Sequence, residues 1–250
     1  SDLILIAGCG TGKQAITTAT RFPDSKILAI DLSNSSLAFA IRKAKELKID
    51  NIEFMSGDII ELRDFKKKFD IIECCGVLHH LKNPSDGLSI LNNLLKKKGL
   101  MYLSLYSEHA RSSINIAKKV INNANLTNSK QDILKFRNYV INIDDELLNP
   151  LIYRQEHNKK INISDFYSLS EFRDLVFNEV EHHFNLEKIK KIIEKEKLEF
   201  IGFEIDKSVL EEFINNFGKN QLYSLVSWDK HEKENNNIFL GMYHIWLQKI

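Results

Sequence analysis

The stretch LILIAGCGTGKQ, from Leu3 to Gln14, decides the fold because it joins an apolar strand to the start of a helix through a glycine-rich turn. Glycine is needed where the backbone adopts a positive φ or approaches a ligand closely, and the turn has glycines at 8, 10 and 12. Dinucleotide-binding turns space their glycines G-x-G-x-x-G, whereas the spacing here is G-x-G-x-G. The stretch predicts a ligand-binding turn after the first strand of an α/β sheet, and it disfavours a dinucleotide-dependent oxidoreductase.

Outward from this turn, short apolar runs alternate with helical patterns, which is typical of βαβ units in a doubly wound, mostly parallel sheet. Apolar runs predict buried strands at 3–7, 27–30, 52–55, 69–75 and 100–105. Helices are predicted at about 12–22, 34–48, 59–67 and 84–96, with Ser33 or Asn34 as N-cap of the second. A helix at about 186–197 and strands at Leu198–Ile205 and Ile238–Gln248 complete a seven-stranded sheet.

The middle of the chain breaks this alternation. Residues 110–148 read as helices rich in Asn, Lys and Ile, and residues 149–184 are irregular with aromatic, His and Arg side chains. We therefore predict three parts: a ligand-binding half at 1–107, a lid insertion at 108–184, and a closing αβ part of the same domain at 185–250.

Composition excludes several classes of protein. The 250 residues include 35 Lys+Arg and 34 Asp+Glu, so a net charge of +1 gives no general attraction for nucleic acid or an anionic membrane. No run approaches the roughly 20 apolar residues of a spanning helix. Cys9, Cys74 and Cys75 suit neither a disulfide framework nor a metal site, which favours a reducing compartment. We expect a cytoplasmic protein with no bound metal.

Candidate ligand contacts fall at the carboxyl ends of consecutive predicted strands. Asp31 ends the second strand, where it can accept hydrogen bonds from both hydroxyls of a ribose or else cap the following helix. After the third strand, Asp58 can take the exocyclic amine of an adenine while Ile59 covers its ring. Cys75 and Gly76 end the fourth strand, at the crevice where open α/β sheets bind ligands.

The motifs AGCGTG, AIDLS, SGDI and GVLHHL resemble those of class I S-adenosylmethionine (SAM) dependent methyltransferases. More narrowly, GCGTGKQ, DLSNSSLAFAIRKA, GVLHHLKNP, LYSEHAR and DFYSLSEFRDLVFNEVEHHF are similar to a bacterial subfamily often joined to tetratricopeptide repeats. The resemblance implies a Rossmann-like methyltransferase fold, SAM as cofactor, methyl transfer as the reaction and an upstream repeat domain as a partner. It identifies no methyl acceptor.

The predicted cofactor contacts combine this resemblance with the strand ends. They are Gly8, Cys9, Gly10, Thr11, Gly12, Gln14, Asp31, Leu32, Gly57, Asp58, Ile59, Cys75 and Gly76. The superfamily commonly has an acidic residue two positions before the turn, and here that residue is Ile6. We therefore expect the cofactor's ammonium group to find other acceptors, such as backbone carbonyls near Gly8 or Cys75.

The acceptor side is predicted from residues 106–111, YSEHAR, and from arginine usage. Tyr106 and Glu108 are the candidate catalytic residues. Only seven of the 35 basic residues are Arg, and four of them, at 111, 137, 154 and 173, fall in the insertion. An arginine fork suits a carboxylate or phosphate, so an anionic acceptor is one interpretation. The other is a structural ion pair within the insertion, for instance with Glu171 or Asp174. The predicted substrate contacts are Ser107, Arg111, Arg154, Asp165, Tyr167, Arg173 and His182.

The histidines in this region have a structural alternative. His182 and His183 can act as a base near neutral pH, but one exposed and one packed histidine is the simpler interpretation. The overall prediction is methyl transfer to a small-molecule or protein acceptor. A SAM-binding module without catalysis and an RNA methyltransferase are the alternatives, and the balanced charge disfavours the second.

Overall fold

A computed structural model describes residues 2–156, 159–177, 181–235 and 238–250, without the side chains of residues 154–156, 159–161 and 170. Its strands are β1 (Leu3–Ala7), β2 (Lys26–Asp31), β3 (Ile52–Ser56), β4 (Phe69–Cys75), β5 (Leu95–Tyr106), β6 (Tyr153–Glu156), β7 (Lys159–Asn162), β8 (Leu198–Phe203) and β9 (Met242–Lys249). Its helices are α1 (Lys13–Arg21), α2 (Asn34–Glu46), α3 (Pro84–Leu94), α4 (Ser112–Asn123), α5 (Lys130–Ile143), α6 (Ser164–Tyr167), α7 (Leu169–Val176), α8 (Leu186–Lys195), α9 (Lys207–Phe217) and α10 (Leu225–Glu234).

Seven strands form one sheet in the order β3-β2-β1-β4-β5-β9-β8. The first five pair in parallel, and β9 runs antiparallel to both of its neighbours. This arrangement confirms the predicted mostly parallel, doubly wound sheet. The strand order reverses between β1 and β4, so their carboxyl ends border the crevice where such sheets bind ligands.

Both faces of the sheet are covered by helices because β1 alternates its side chains between two apolar layers. Leu5 packs in the layer that contains Trp228 of α10, and Ile6 packs in the layer that contains Ala15 of α1. Strands buried on both faces need the near-continuous apolar sequence seen at residues 3–7.

Three predicted boundaries are wrong. The helix predicted at 59–67 is a 3-10 helix, Ile59–Asp64, and the strand predicted from 100 begins at Leu95, which pairs with Phe69. The last strand begins at Met242 instead of Ile238, because the preceding Leu240 and Gly241 have φ of 48° and 115° and form a turn. Positive φ values lie outside the extended region, and regular pairing of this strand begins after them.

The described chain divides into two compact units. We call residues 1–107 with 182–250 the sheet unit, and Glu108–Glu181 the insertion unit. The insertion predicted at 108–184 extends three residues beyond this division. His182 N donates to His79 O at 2.8 Å and Phe184 N donates to Tyr106 O at 2.9 Å, so these residues pair within the sheet unit.

The insertion unit has an apolar core of its own. Ile133 and Phe136 of α5 pack with Phe166 and Phe172, and β6 and β7 pair antiparallel. The predicted irregular segment 149–184 therefore includes the short helices α6 and α7. Across the described ranges of both units, no helix has the length and apolar character to cross a membrane.

Candidate functional site

The glycine-rich turn is held at the carboxyl end of β2. Gly8 N and Cys9 N both donate to Ile30 O, at 2.9 and 2.8 Å. The three predicted glycines, at 8, 10 and 12, have φ of 85°, 52° and 87°, which L-residues with a side chain rarely adopt. The turn therefore has the conformation that its sequence predicts.

Two of these glycines serve different purposes. A Cβ at Gly8 would lie 2.2 Å from Cγ2 of Val77, so this glycine lets the turn pack against the segment after β4. A Cβ at Gly10 would meet no atom within 4 Å. Open space beside a left-handed backbone at the sheet's carboxyl edge fits a ligand that contacts the turn directly.

Asp31 joins the turn to the start of α2. Its Oδ2 accepts from Gly10 N at 2.7 Å, and its Oδ1 accepts from Ser33 N at 2.8 Å. The N-cap of α2 is Ser33, whose hydroxyl accepts from Ser36 N at 3.2 Å, so the capping alternative for Asp31 is wrong. A carboxylate offers about four acceptor sites, and two backbone donors leave capacity for a diol.

The neighbouring Leu32 is 67% exposed although it is large and apolar. It directly follows Asp31, and Gly57 N donates to Asp31 O at 3.1 Å, so the ends of β2 and β3 meet here. This apolar side chain beside a carboxylate with spare acceptor capacity is suited to one face of a nucleoside.

The segment after β3 is more structural than the sequence indicates. Asp58 caps the 3-10 helix by accepting from Ile60 N at 2.9 Å, while Glu61 accepts from Asp58 N at 3.0 Å. Ile59 is 3% exposed and packs in the core, so it has little surface with which to cover a ring. The adenine contacts predicted for Asp58 and Ile59 compete with these roles.

Cys75 and Gly76 end β4 at the same edge as the turn. Gly76 has φ of 73°, and a Cβ there would meet no atom within 4 Å. Burial raises the pKa of Cys75 to about 11, and burial together with the charge of Asp31 raises the pKa of Cys9 to about 11. Both thiols are protonated at neutral pH, so neither is a thiolate nucleophile.

A buried acid that the sequence analysis did not single out lies beside the turn. Glu73 of β4 is 5% exposed, and its carboxylate accepts from Gln14 Nε2 at 2.5 Å and from the Thr18 hydroxyl at 3.0 and 3.1 Å. Burial raises the pKa of this carboxyl, while Gln14 and Thr18 lower it. The available signal was the single acid in the otherwise apolar stretch IIECC, residues 71–75.

Tyr106, the candidate catalytic residue at the end of β5, belongs to an aromatic cluster. Its ring stacks on His79 with centroids 3.6 Å apart, and His80 meets both rings edge-on. His79 is completely buried and Tyr106 is half-buried. The cluster fixes the phenol ring at the carboxyl edge of the sheet.

Ser107 is completely buried, and this position favours a structural role over the predicted substrate contact. Its hydroxyl donates to Glu232 Oε1 at 3.0 Å, and the Tyr243 hydroxyl donates to both Glu232 oxygens at 2.8 Å. Burial and the charge of Glu232 raise the pKa of Tyr243. The network ties the end of β5 to α10 and β9.

In the insertion unit, Arg111 forms an ion pair, which was the structural alternative to an acceptor contact. Its Nε lies 3.5 Å from Glu181 Oε1, and Lys118 Nζ lies 3.4 Å from the other oxygen. Glu181 is the partner within the insertion, in place of the examples Glu171 and Asp174. Arg137 Nη1 donates to Tyr167 O at 3.3 Å.

The other predicted acceptor residues are not brought together by a described contact. Within the insertion unit, Arg173 and Tyr167 are exposed, Glu108 is half-buried, and Asp165 accepts from its neighbour Ser164 at 3.1 Å. The Arg154 side chain lies outside the described residues, and His182 belongs to the sheet unit. Within the described ranges, no group of three metal-ligating side chains occurs.

A mostly parallel seven-stranded sheet, a G-x-G-x-G turn after β1 and an acid at the end of β2 together define the class I SAM-dependent methyltransferases. The chain belongs to the methyltransferase domain family, which matches residues 4–156, and it has the fold of the SAM-dependent methyltransferases.

Relatives of this chain agree with that membership. An uncharacterized protein of Synechococcus sp., syc1184_c, is 30% identical over 211 residues, covering 80% of this chain and 48% of the relative. Trans-aconitate 2-methyltransferase of Deinococcus radiodurans is 32% identical over 106 residues, covering 42% of this chain and 38% of the enzyme. The chain thus spans less than half the length of these relatives.

Solved structures share the fold. PKMT2 from Rickettsia typhi in complex with AdoHcy aligns with a TM-score of 0.66 and 20% identity, covering 98% of this chain and 48% of that one. At this identity the likeness establishes the arrangement of the sheet and its helices, while the acceptor has to be argued from this chain's own residues.

Proposed function

We propose that the chain binds SAM at the carboxyl edge of its sheet and transfers the methyl group to an anionic small molecule or protein side chain held by the insertion unit. The observation that carries the proposal is Asp31, whose carboxylate braces the glycine turn and still has acceptor capacity beside the exposed Leu32.

Each part of the cofactor has a matching group in the sheet unit. The open backbone at Gly10 suits close approach of the methionine end, Asp31 suits the ribose hydroxyls, and Leu32 suits a face of the adenine. SAM supplies a methyl group on a sulfonium, so the protein's own task is to orient the acceptor and exclude water. Such positioning is worth up to about 7–11 kcal/mol.

The insertion unit is proposed as a lid over this edge that supplies the acceptor contacts. The chain leaves the sheet unit at the end of β5 and returns at Phe184, which forms a parallel bridge with Ser107. Both connections therefore lie at the end of the sheet that carries the glycine turn. Tyr106 and Glu108, the proposed catalytic residues, stand at the first connection.

An anionic acceptor is supported by the concentration of arginine in the insertion. The Deinococcus relative is named for a tricarboxylate acceptor, trans-aconitate, although its match covers 42% of this chain. Arg111, Arg154 and Arg173 are the proposed clamp, and Arg111 also pairs with Glu181. The upstream repeat domain stays a prediction.

Isothermal titration with S-adenosylhomocysteine (SAH) tests the cofactor assignment. Asp31→Ala should cost about 1–3 kcal/mol of binding free energy, because a charged acceptor disappears. Asp31→Asn should retain part of it, and Asp24→Asn, an exposed control, should bind like the parent. Equal affinities of all four proteins would remove Asp31 from the site.

Turnover separates an enzyme from a SAM-binding module. SAM is expected to yield SAH only when an acceptor is supplied, and Arg→Lys at the true clamp should recover little activity because an ammonium cannot reproduce the fork. Should Arg111→Lys, Arg154→Lys and Arg173→Lys all turn over like the parent, the anionic acceptor is wrong. SAH binding without turnover on any acceptor would favour the module.

A further inference from the structure

The sheet unit buries a carboxylate beside the first turn of α1, where the apolar interior disfavours charge. Glu73 lies opposite Ile6 in the pairing of β4 with β1, so both side chains face α1. Its described partners are neutral: the Gln14 amide and the Thr18 hydroxyl. Burying an acid without a direct cationic partner lowers the stability of the fold. An acid at such a position therefore indicates a function.

Glu73 determines which way the Gln14 amide points. An ionised carboxylate only accepts hydrogen bonds, so Gln14 must turn its NH₂ group toward Glu73, as the 2.5 Å contact shows. The amide oxygen of Gln14 is thereby directed away from Glu73. Gln14 is half-buried and lies two residues after Gly12, at the start of α1.

The methionine end of SAM carries a carboxylate and an ammonium group, which need opposite surroundings. Free backbone N–H groups at the start of α1 suit the carboxylate. Resting on the SAM site proposed above, we propose that the Gln14 amide oxygen accepts from the ammonium group and that Glu73 is the positioning residue that orients this amide and supplies negative charge behind it.

This assignment replaces the expectation that backbone carbonyls near Gly8 or Cys75 hold the ammonium group. Residue 6 of the chain, which lies in β1, is Ile and provides no carboxylate. Glu73 of the neighbouring strand β4 pairs with Ile6 and provides one at the same level of the sheet. The charged groups that act on Glu73 are Arg21, at the end of α1, and Glu204, which follows β8, and their effects oppose each other.

The experiment compares two ligands that differ at the methionine end. SAH has the ammonium group, whereas 5′-methylthioadenosine keeps the adenosine and lacks the amino-acid part. Calorimetry with Glu73→Gln and with Gln14→Leu should show SAH affinity reduced about tenfold or more, with methylthioadenosine affinity nearly unchanged. Thr17→Val, an exposed position of the same helix that leaves the Glu73 contacts in place, is the matched control and should bind both ligands like the parent.

The outcomes separate this inference from its premise. Equal losses of both ligands in Glu73→Gln, an equal loss in Thr17→Val, or no loss at all would overturn the role of Glu73 and leave the SAM site standing. A parent protein that binds neither ligand would overturn the SAM site and this inference together. Melting curves of each variant establish that the comparison is made on folded protein.

Discussion

Glu73 shows at the scale of one residue how function can oppose stability. Burial raises the pKa of its carboxyl, and Gln14, Thr18 and Arg21 counteract that effect without reversing it. When a carboxyl has a higher pKa in the folded chain than in the unfolded chain, folding becomes less favourable as the pH rises through these two values. Ionisation of Glu73 therefore becomes more costly for the folded chain as the pH rises.

The variant Glu73→Gln should consequently melt at a higher temperature than the parent at pH 7. The gain should vanish below about pH 4, where the carboxyl is protonated in both states. Thermal denaturation followed by circular dichroism between pH 4 and 8 measures the difference. Glu53→Gln, on an exposed position of β3, is the control and should change little. A variant that loses stability relative to the parent as the pH rises would contradict the sign of this shift.

Gly8 and Gly10 of the turn have different surroundings, and substituting each in turn separates an effect on packing from an effect on ligand binding. Gly8→Ala places a methyl group against Val77 and strains a φ of 85°, so the unfolding free energy should fall by about 2 kcal/mol or more. A second substitution, Val77→Ala, should restore the part of the unfolding free energy that is lost to this clash. Gly10→Ala meets open space, so it should fold with a smaller loss and bind SAH weakly. Urea denaturation and calorimetry measure both quantities, and an equal effect of the two substitutions on stability would contradict the assignment.

At the scale of elements, a buried network holds the end of the sheet. Tyr243 of β9 donates to both oxygens of Glu232 on α10, and Ser107 joins them at the end of β5. Tyr243→Phe should lower the unfolding free energy by about 1–3 kcal/mol, because the buried carboxylate loses a donor. Tyr223→Phe, at a residue that is 68% exposed, is the matched control. Identical denaturation midpoints for the two variants would show that the network adds nothing.

Local sequence signals account for the elements that were predicted correctly. The β1 run, the glycines and the Ser33 cap each act within a few residues, so their pattern is visible in the chain itself. The 3-10 helix at 59–64 was missed because the Asp58–Glu61 capping box tightens the turn. Glu73 was missed because its meaning depends on Gln14, 59 residues away along the chain. The Glu181 partner of Arg111 is distant in the same way.

At the scale of the whole molecule, the sheet unit and the insertion unit have separate cores. The chain also leaves and re-enters the sheet unit at adjacent points, since Ser107 bridges Phe184. Replacing residues 108–181 by a short Gly-Ser linker should therefore give a folded protein that retains SAH binding but transfers no methyl group. Cooperative melting with calorimetric SAH binding supports this prediction. A truncated protein that unfolds would show that the sheet unit depends on the insertion.

The central claim is that SAM binds at the carboxyl edge formed by the glycine turn and the ends of β2 and β4. Hydrogen–deuterium exchange of the complete chain with and without SAH tests it most directly, because ligand contact slows exchange of amides at the site. We predict protection of the segments around Gly8–Gly12, Asp31–Ser33 and Cys75–Val77. Protection confined to the insertion unit, or no protection at a SAH concentration that saturates binding, would contradict the account.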